Sequence, residues 1–311
     1  MKILLTGANG YIGTRILPVL LQAGHEVVCL VRDKRRFYES SEFSDKVQII
    51  TGDLLKKETL TEIPADIDAA YYLVHSMSST KNEFDELEAT SATNFIESIE
   101  QTNCNQIIFL TGIVNDENLS KHLTSRLKVE EILNSGKVPC TTLRAAIIIG
   151  SGSASFEIIR DLVEKLPVMV APKWVKTKCQ PIAIRDVIAY LTEVLGQEKA
   201  LNKTFDIGGP DILTYREMLM NYASVRKLKR WIIGVPVLSP RLSSLWLYFV
   251  TSVPYQLARS LVDSMVNEVI CQKKGIDEIV PRKCLTYREA LELAFEKIEQ
   301  NSIVSSWKDA L

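Results

Sequence analysis

Gly7, Gly10 and Gly13 fall at a G-x-x-G-x-x-G spacing, Thr6-Gly-Ala-Asn-Gly-Tyr-Ile-Gly13, behind the apolar run Lys2 to Thr6 and ahead of a helical pattern continuing from Leu17 to Ala23. The chemistry available to such a spacing is anion binding by backbone. Gly7 permits a tight turn, Gly10 lets the main chain approach a pyrophosphate, and Gly13 lets the new helix pack on its strand. With Asn9, Tyr11 and Ile12 completing the turn, unspent N–H groups and the positive end of the helix face the phosphates. Three glycines can also make a plain tight turn. A strand before and a helix after give this trio the context of a dinucleotide site.

The second position with chemical content is the end of the next strand. In dinucleotide folds an acid there accepts from the adenosine ribose 2′-hydroxyl and repels a 2′-phosphate. Here the strand reads Cys29-Leu-Val-Arg32, so Val31 occupies the acid's slot and Arg32 follows, with Lys34, Arg35 and Arg36 behind it. A guanidinium grips a phosphate through two parallel hydrogen bonds. NADP(H) is therefore expected over NAD(H), with Arg32 and Arg36 as phosphate ligands. The alternatives are that Arg35 and Arg36 form a solvated helix start and that Asp33, one residue on, is the ribose ligand.

Positioning these groups requires a sheet. Glu26 to Val31 completes a β-α-β unit of about thirty residues. Val47 to Ile50, Ala69 to Val74, Ile107 to Leu110 and Cys140 to Ile149 read as further strands, separated by helical patterns over Phe84 to Gln101 and Leu127 to Leu133. Strands alternating with helices predict an α/β Rossmann fold, a doubly wound parallel sheet, with ligands beyond the carboxyl ends of the strands. A dinucleotide-binding domain over 1–150 and a smaller, mostly helical substrate lobe over 151–311 are expected, with returns to the core near 180–190 and 204–209.

Composition removes several classes. Lys plus Arg number 37 against 38 Asp plus Glu, so no charge excess recruits nucleic acid. The six cysteines form no C-x-x-C pair and do not cluster with the three histidines, so buried free thiols are expected rather than a metal site. No signal-peptide pattern precedes the first strand, which makes the cytoplasm the expected compartment.

Together these blocks resemble an atypical member of the short-chain dehydrogenase/reductase superfamily, similar to NmrA-like and nucleoside-diphosphate-sugar-epimerase-like proteins. The resemblance rests on Thr6 to Gly13, Gly24-His-Glu-Val-Val28, Gly52-Asp-Leu54, Leu143-Arg-Ala145 through Gly150, Ile184-Arg-Asp-Val187 and Phe205-Asp-Ile-Gly-Gly209. It implies that Asp53 and Leu54 border the adenine and that His75 and Ser76 line the nicotinamide ribose. It also implies that Thr111 stands where the family often has a catalytic or substrate-holding serine. Asp53 as a helix cap and His75 as a satisfied strand-end histidine are the structural alternatives.

The chain departs from that superfamily at its acid/base pair. Tyr-x-x-x-Lys usually follows strand five, the lysine lowering the phenol's pKa for proton exchange with a substrate oxygen. None of the ten tyrosines here has a lysine four residues on; the region reads Ser120-Lys-His-Leu-Thr-Ser-Arg-Leu-Lys128, with Thr124 and Lys128 one turn apart. The resemblance leaves Lys128 to hold the nicotinamide ribose or act as a base, and His122 to donate a proton if it faces the cleft. An exposed lysine in a charged helix is the plainer reading of Lys128.

On the substrate side, Gly150-Ser-Gly-Ser-Ala-Ser-Phe156 is a polar loop able to hold a phosphate or carboxylate, or simply to cap a helix through Ser155. Leu166 to Trp174 reads as an apolar segment over the cleft. Leu242 to Ala258 carries no charge, is interrupted by Pro254, and falls short of the ~20 residues of a spanning helix. A buried helix pair lining an apolar pocket is preferred there to an interfacial patch, although Arg226, Lys227, Lys229 and Arg230 upstream favour anionic surfaces. These features predict an NADP(H)-dependent oxidoreductase of a relatively apolar small molecule. A non-catalytic redox sensor or assembly protein is the second reading and a nucleotide-sugar epimerase the third.

Overall fold

A computed structural model describes residues 1–37, 47–74, 84–115, 121–171, 173–234 and 265–299. His75, Ser76 and the 242–258 segment lie outside the described residues, as do the side chains of Arg36 and His122.

In chain order the elements begin β1 (Lys2–Thr6), α1 (Gly13–Gln22), β2 (Glu26–Val31), β3 (Val47–Thr51), β4 (Ala69–Tyr72), α2 (Phe84–Ile99), β5 (Gln106–Gly112), α3 (Lys121–Ser135) and β6 (Cys140–Ala145). There follow β7 (Ile148–Ile149), α4 (Ala154–Lys165), β8 (Val168–Ala171), β9 (Lys178–Cys179), β10 (Ile182–Ala183), α5 (Ile184–Glu193), β11 (Lys203–Ile207), β12 (Leu213–Thr214), α6 (Tyr215–Val225), β13 (Trp231–Gly234) and α7 (Tyr287–Glu299).

Seven strands form one parallel sheet in the order β11-β6-β5-β4-β1-β2-β3. The order reverses between β1 and β4, the switch point at which such sheets open a crevice for ligands. Both faces are covered, which is why the strands read as nearly continuous apolar runs. Ile3, Leu5, Val27 and Leu143 pack on one side with Ile16 and Leu20 of α1 and Val187 and Leu191 of α5. Leu4, Val28, Tyr72 and Phe109 pack on the other with Phe95 and Ile99 of α2 and Leu133 of α3. The Tyr71 hydroxyl crosses from β4 to donate to the Leu191 carbonyl oxygen at 2.8 Å, so burial of this phenol leaves no polar group unmatched.

A third apolar cluster belongs to the later half of the chain. Phe156 of α4, Tyr222 of α6 and Phe295 of α7 meet with ring centroids 5.1 to 6.2 Å apart. Two expectations change here. Cys140 to Ile149 is not one strand: after Ala145 the chain leaves the sheet, and Ile148–Ile149 pairs instead with Ile182–Ala183. The later half, expected to be mostly helical, also contains a strand that the pattern does not show, Trp231–Gly234, parallel to Val168–Ala171. Each pairing joins segments far apart in sequence, so local periodicity gives no sign of it.

Candidate functional site

The glycine turn sits at the switch point. Gly7 has φ +69°, and a Cβ there would lie 2.6 Å from the Leu73 carbonyl oxygen just past β4. At Gly13 a Cβ would collide with the Gly7 carbonyl oxygen and with Ala8. Both residues must therefore be glycine for the chain to fold this way. Gly10 differs: among the described residues the only atom a Cβ would meet is the Gly7 carbonyl oxygen at 3.1 Å, and its N–H donates to that oxygen at 2.9 Å. Helix α1 starts after Ile12 with no side-chain cap and no acid in its first turn. The Thr14 and Arg15 N–H groups donate to the Gly10 and Ile12 carbonyl oxygens at 3.0 Å each, so what the helix start offers an external anion is chiefly its dipole, which the pyrophosphate of a dinucleotide suits. Asn9 is exposed at the tip, while Tyr11 and Ile12 are half-buried.

Arg15, which the sequence reading passed over, locks the turn to the far side of the site. Its guanidinium lies 3.8 Å over the Tyr11 ring and donates to the Tyr11 carbonyl oxygen at 3.0 Å and to the Ser151 carbonyl oxygen at 2.7 Å. A Cβ on Gly150 would approach the Tyr11 hydroxyl to 2.6 Å, so the β7–α4 loop rests directly on the turn. Among the described residues the buried Tyr11 Oη and Ser151 Oγ atoms have no hydrogen-bond partner, and burial pushes the Tyr11 phenol up to about 12. The only local signal for Arg15 was its position one turn after Tyr11. In the same loop the cap of α4 is Ser153, accepting from Phe156 N at 3.2 Å, and not Ser155. Gly152, at φ +85° with its N–H on the Glu157 carboxylate, places Ser153 there.

At the end of β2, Arg32 is exposed. The Asp33 carboxylate is engaged locally: it accepts from the Arg35 backbone N–H at 2.9 Å and from the Arg35 guanidinium at 3.1 and 3.0 Å. Arg35 and Arg36 belong to a single 3-10 turn, Lys34–Arg36, that Asp33 caps. After β3, Asp53 stabilises its own turn, with Oδ1 accepting from Leu55 N at 3.1 Å and its N–H held by the Thr59 hydroxyl at 2.8 Å. Leu54 is buried, and its carbonyl oxygen accepts from Asn94 of α2 at 2.7 Å.

Beyond β5, Thr111 is buried and its Oγ1 has no hydrogen-bond partner among the described residues. A buried hydroxyl without a partner costs about 1–3 kcal/mol, so this atom is suited to a bound ligand. Thr124 and Lys128 are exposed on α3. Ser125, between them, is buried and donates to the Glu88 carboxylate at 2.9 Å, tying α3 to α2. Glu130 forms a buried bidentate pair with Arg144 of β6, both bonds 2.9 Å, and accepts from Thr204 of β11 at 3.1 Å. These buried polar ties hold α3 against the sheet, and none was legible from the spacing of the residues involved.

Among the described residues no group of three His, Cys, Asp or Glu side chains is arranged to hold a metal ion. All six cysteines are free thiols; Cys29, Cys104, Cys140 and Cys179 are buried. In the later half a small apolar pocket is lined by Ile158, Leu162, Trp174, Tyr215 and Leu219, among others. The Trp174 indole packs edge-on against Tyr215, and its buried Nε1 has no partner among the described residues. No helix among the described residues is long and apolar enough to cross a membrane.

Residues 7–152 match a family described as NAD(P)H-binding. Photosystem II assembly factor Ycf39 of Guillardia theta is 26% identical over 216 residues, 67% of this chain and 65% of that protein, slightly under two-thirds of the relative's own length. A nucleoside-diphosphate-sugar epimerase from Staphylococcus aureus superposes with a TM-score of 0.75 at 16% identity, covering 94% of this chain and all of that one. The triphenylmethane reductase of Citrobacter sp., solved with NADP(H), superposes with a TM-score of 0.73 at 17% identity over 94% of this chain and all of its own. The two structures share the fold.

Proposed function

We propose that this chain is an NAD(P)H-binding protein of the atypical short-chain dehydrogenase/reductase type, and that it is an NADP(H)-dependent oxidoreductase acting on a relatively apolar small molecule; the match of residues 7–152 to an NAD(P)H-binding family supports the first part. The observation that carries the cofactor choice is the pair at the end of β2. Asp33, the acid that follows the end of β2, is engaged by Arg35, while Arg32 is exposed beside it. An exposed guanidinium suits a 2′-phosphate, and an acid already neutralised by its neighbour repels one less. One neighbour of the same fold, a triphenylmethane reductase, was solved with NADP(H), which supports this cofactor.

When bound, the dinucleotide supplies a hydride at its nicotinamide. This chain's own part is to hold the pyrophosphate on Gly7, Gly10, Gly13 and the α1 N-terminus, and the 2′-phosphate on Arg32 with Arg36 beside it. Asp53 and Leu54 border the adenine, and His75 and Ser76 line the nicotinamide ribose. Thr111, with its unmatched hydroxyl, orients the reacting group, and Lys128 and His122 hold or move its proton. Residues after 150 supply the walls of the substrate cleft.

Binding without turnover is the second reading. It is favoured by the exposure of both Thr124 and Lys128 where the superfamily's tyrosine and lysine would be, and by a relative that is an assembly factor. Epimerisation of a nucleotide sugar ranks third, because it relies on that tyrosine and lysine.

Fluorescence titration of the purified protein with NADPH and NADH tests the cofactor. NADPH is expected to bind at least roughly tenfold tighter, and Arg32→Asp to erase the difference; equal affinities, or tighter NADH, overturn the assignment. Loss of absorbance of NADPH against quinones, enones and triarylmethane dyes tests the chemistry. Turnover that falls in Lys128→Ala supports the role given to Lys128. A protein that binds NADPH but reduces no acceptor overturns the oxidoreductase reading in favour of binding alone.

A further inference from the structure

The short parallel pair β8 and β13 has two faces of opposite fate. Met169, Ala171 and Ile232 point into the aromatic cluster of the later half and are buried. Their neighbours do the reverse: Val168 is 44% exposed, Val170 43%, Trp231 60% and Ile233 54%. The register sets Trp231 directly across from Val168, and Ile233 across from Val170. Four large apolar side chains therefore form one contiguous outward face rather than scattered exposures, which would need no explanation.

The rim of this face at the strand starts is basic. Lys227 and Lys229 are exposed, and the connection between α6 and β13 that carries them is fixed, Lys227 at φ +56° and Leu228 N bonded to the Ala223 carbonyl oxygen at 2.8 Å. Arg226 is paired with Glu164, and the Arg230 guanidinium lies on the Val163 and Glu164 carbonyl oxygens at the end of α4. Those two arginines thus offset the local acid and the negative helix end, leaving the two lysines to face outward.

We propose that this face docks on an anionic lipid surface, with Trp231, Ile233, Val168 and Val170 entering the interfacial layer and Lys227 and Lys229 meeting acidic headgroups. Size argues against a second copy or a folded protein partner. Two strands of four residues span roughly 13 Å by 10 Å, a small fraction of the ~800 Å² that each side of a stable protein interface buries. Shallow insertion needs no such area. A tryptophan at the water boundary and lysines beside an apolar strip are what an interfacial site requires, and neither signal alone gives stable anchoring. This surface is independent of the glycine turn and of the cofactor assignment.

Co-sedimentation of the full chain with vesicles tests it. The protein is expected to pellet with phosphatidylglycerol/phosphatidylcholine vesicles and not with phosphatidylcholine alone, and to be released as salt is raised. Trp231→Ser with Ile233→Ser should lower the partition coefficient by roughly tenfold or more. Lys227→Gln with Lys229→Gln, which touches no core residue, should do the same by roughly tenfold, with thermal melting and NADPH affinity unchanged. Equal pelleting with both vesicle types, or with neither, overturns the proposal. So does light scattering that shows a dimer dispersed by the Trp231 and Ile233 substitutions, which would assign the face to a second copy.

Discussion

Arg15, in the first turn of α1, donates from Nη2 to the carbonyl oxygen of Ser151 at 2.7 Å, although 136 positions separate the two residues. Through this bond the loop after β7 is attached to the helix that the glycine turn begins, so the turn and that loop are tied together. Arg15→Ala is expected to lower unfolding free energy by about 1–3 kcal/mol, from the lost charged hydrogen bonds and the lost stacking on Tyr11. It should weaken NADPH binding as well. Arg15→Lys keeps the charge but not the fork, and should recover less than half of the loss in urea unfolding. An Arg15→Ala protein as stable and as tight-binding as the parent would show the contact to be incidental.

The three glycines should separate by mechanism. Gly13→Ala forces a Cβ onto the Gly7 carbonyl oxygen and Ala8, and should cost roughly 3 kcal/mol or more or prevent folding. Gly10→Ala meets only the Gly7 oxygen at 3.1 Å, so its stability should stay within about 1 kcal/mol of the parent. Its NADPH affinity should nevertheless fall by roughly tenfold or more, because the methyl group occupies space meant for the pyrophosphate. Melting curves and titrations run side by side distinguish the two effects.

Removing one half of the Glu130–Arg144 pair leaves a buried charge without its partner. Glu130→Ala should cost about 3–5 kcal/mol in denaturant unfolding, whereas Glu130→Leu combined with Arg144→Met should recover most of it. A double-mutant cycle with no coupling between the two positions would mean that the pair adds nothing beyond packing.

The alkaline limit of stability should reflect buried protonated groups. Burial pushes the Cys104 thiol up to about 11, the Cys140 and Cys179 thiols up to about 12 from an ordinary value of 9.0, and the Tyr11 phenol to about 12 from 10.0. A folded-state pKa above the unfolded one means that the native protein holds its proton more tightly. The contribution is complete below pH 9 and is lost as pH rises from there toward 12. Each thiol then removes ~1.4 kcal/mol per pH unit. Urea midpoints should fall steadily from pH 9 to 10.5; a flat profile across that range would contradict the assignment.

Thiol reactivity offers an independent check on the same burial. Cys271 and Cys284 are half-buried, while Cys29, Cys104, Cys140 and Cys179 are buried. In the native protein a disulfide reagent should label those two first, the other four reacting only at the rate of unfolding. Rapid reaction of all six would show that the core opens far more readily than its packing implies.

Much of the first half was legible because its strands are covered on both faces. Such strands are unbroken apolar runs, and each ends in glycine or a polar residue where the ligand crevice lies. Lys2–Thr6 and Glu26–Val31 are found with the bounds that the pattern gives. Gly7 and Gly13 are likewise fixed by residue type, since no other side chain fits their φ or their close approaches. Asp33 illustrates the limit. The sequence offers it as a ribose ligand or a turn cap, and only the folded structure shows its carboxylate engaged by Arg35.

What the sequence by itself determined is the doubly wound sheet and the tight glycine turn, because both follow from local rules of strand burial and glycine conformation. The tertiary structure decided which distant segments became neighbours. It split Cys140 to Ile149 between two sheets, turned Trp231–Gly234 into a strand against Val168–Ala171, and brought Arg15 to Ser151 and Glu130 to Arg144. Those contacts depend on where the chain returns in space, and a residue's type and spacing along the chain carry no record of its partner across it.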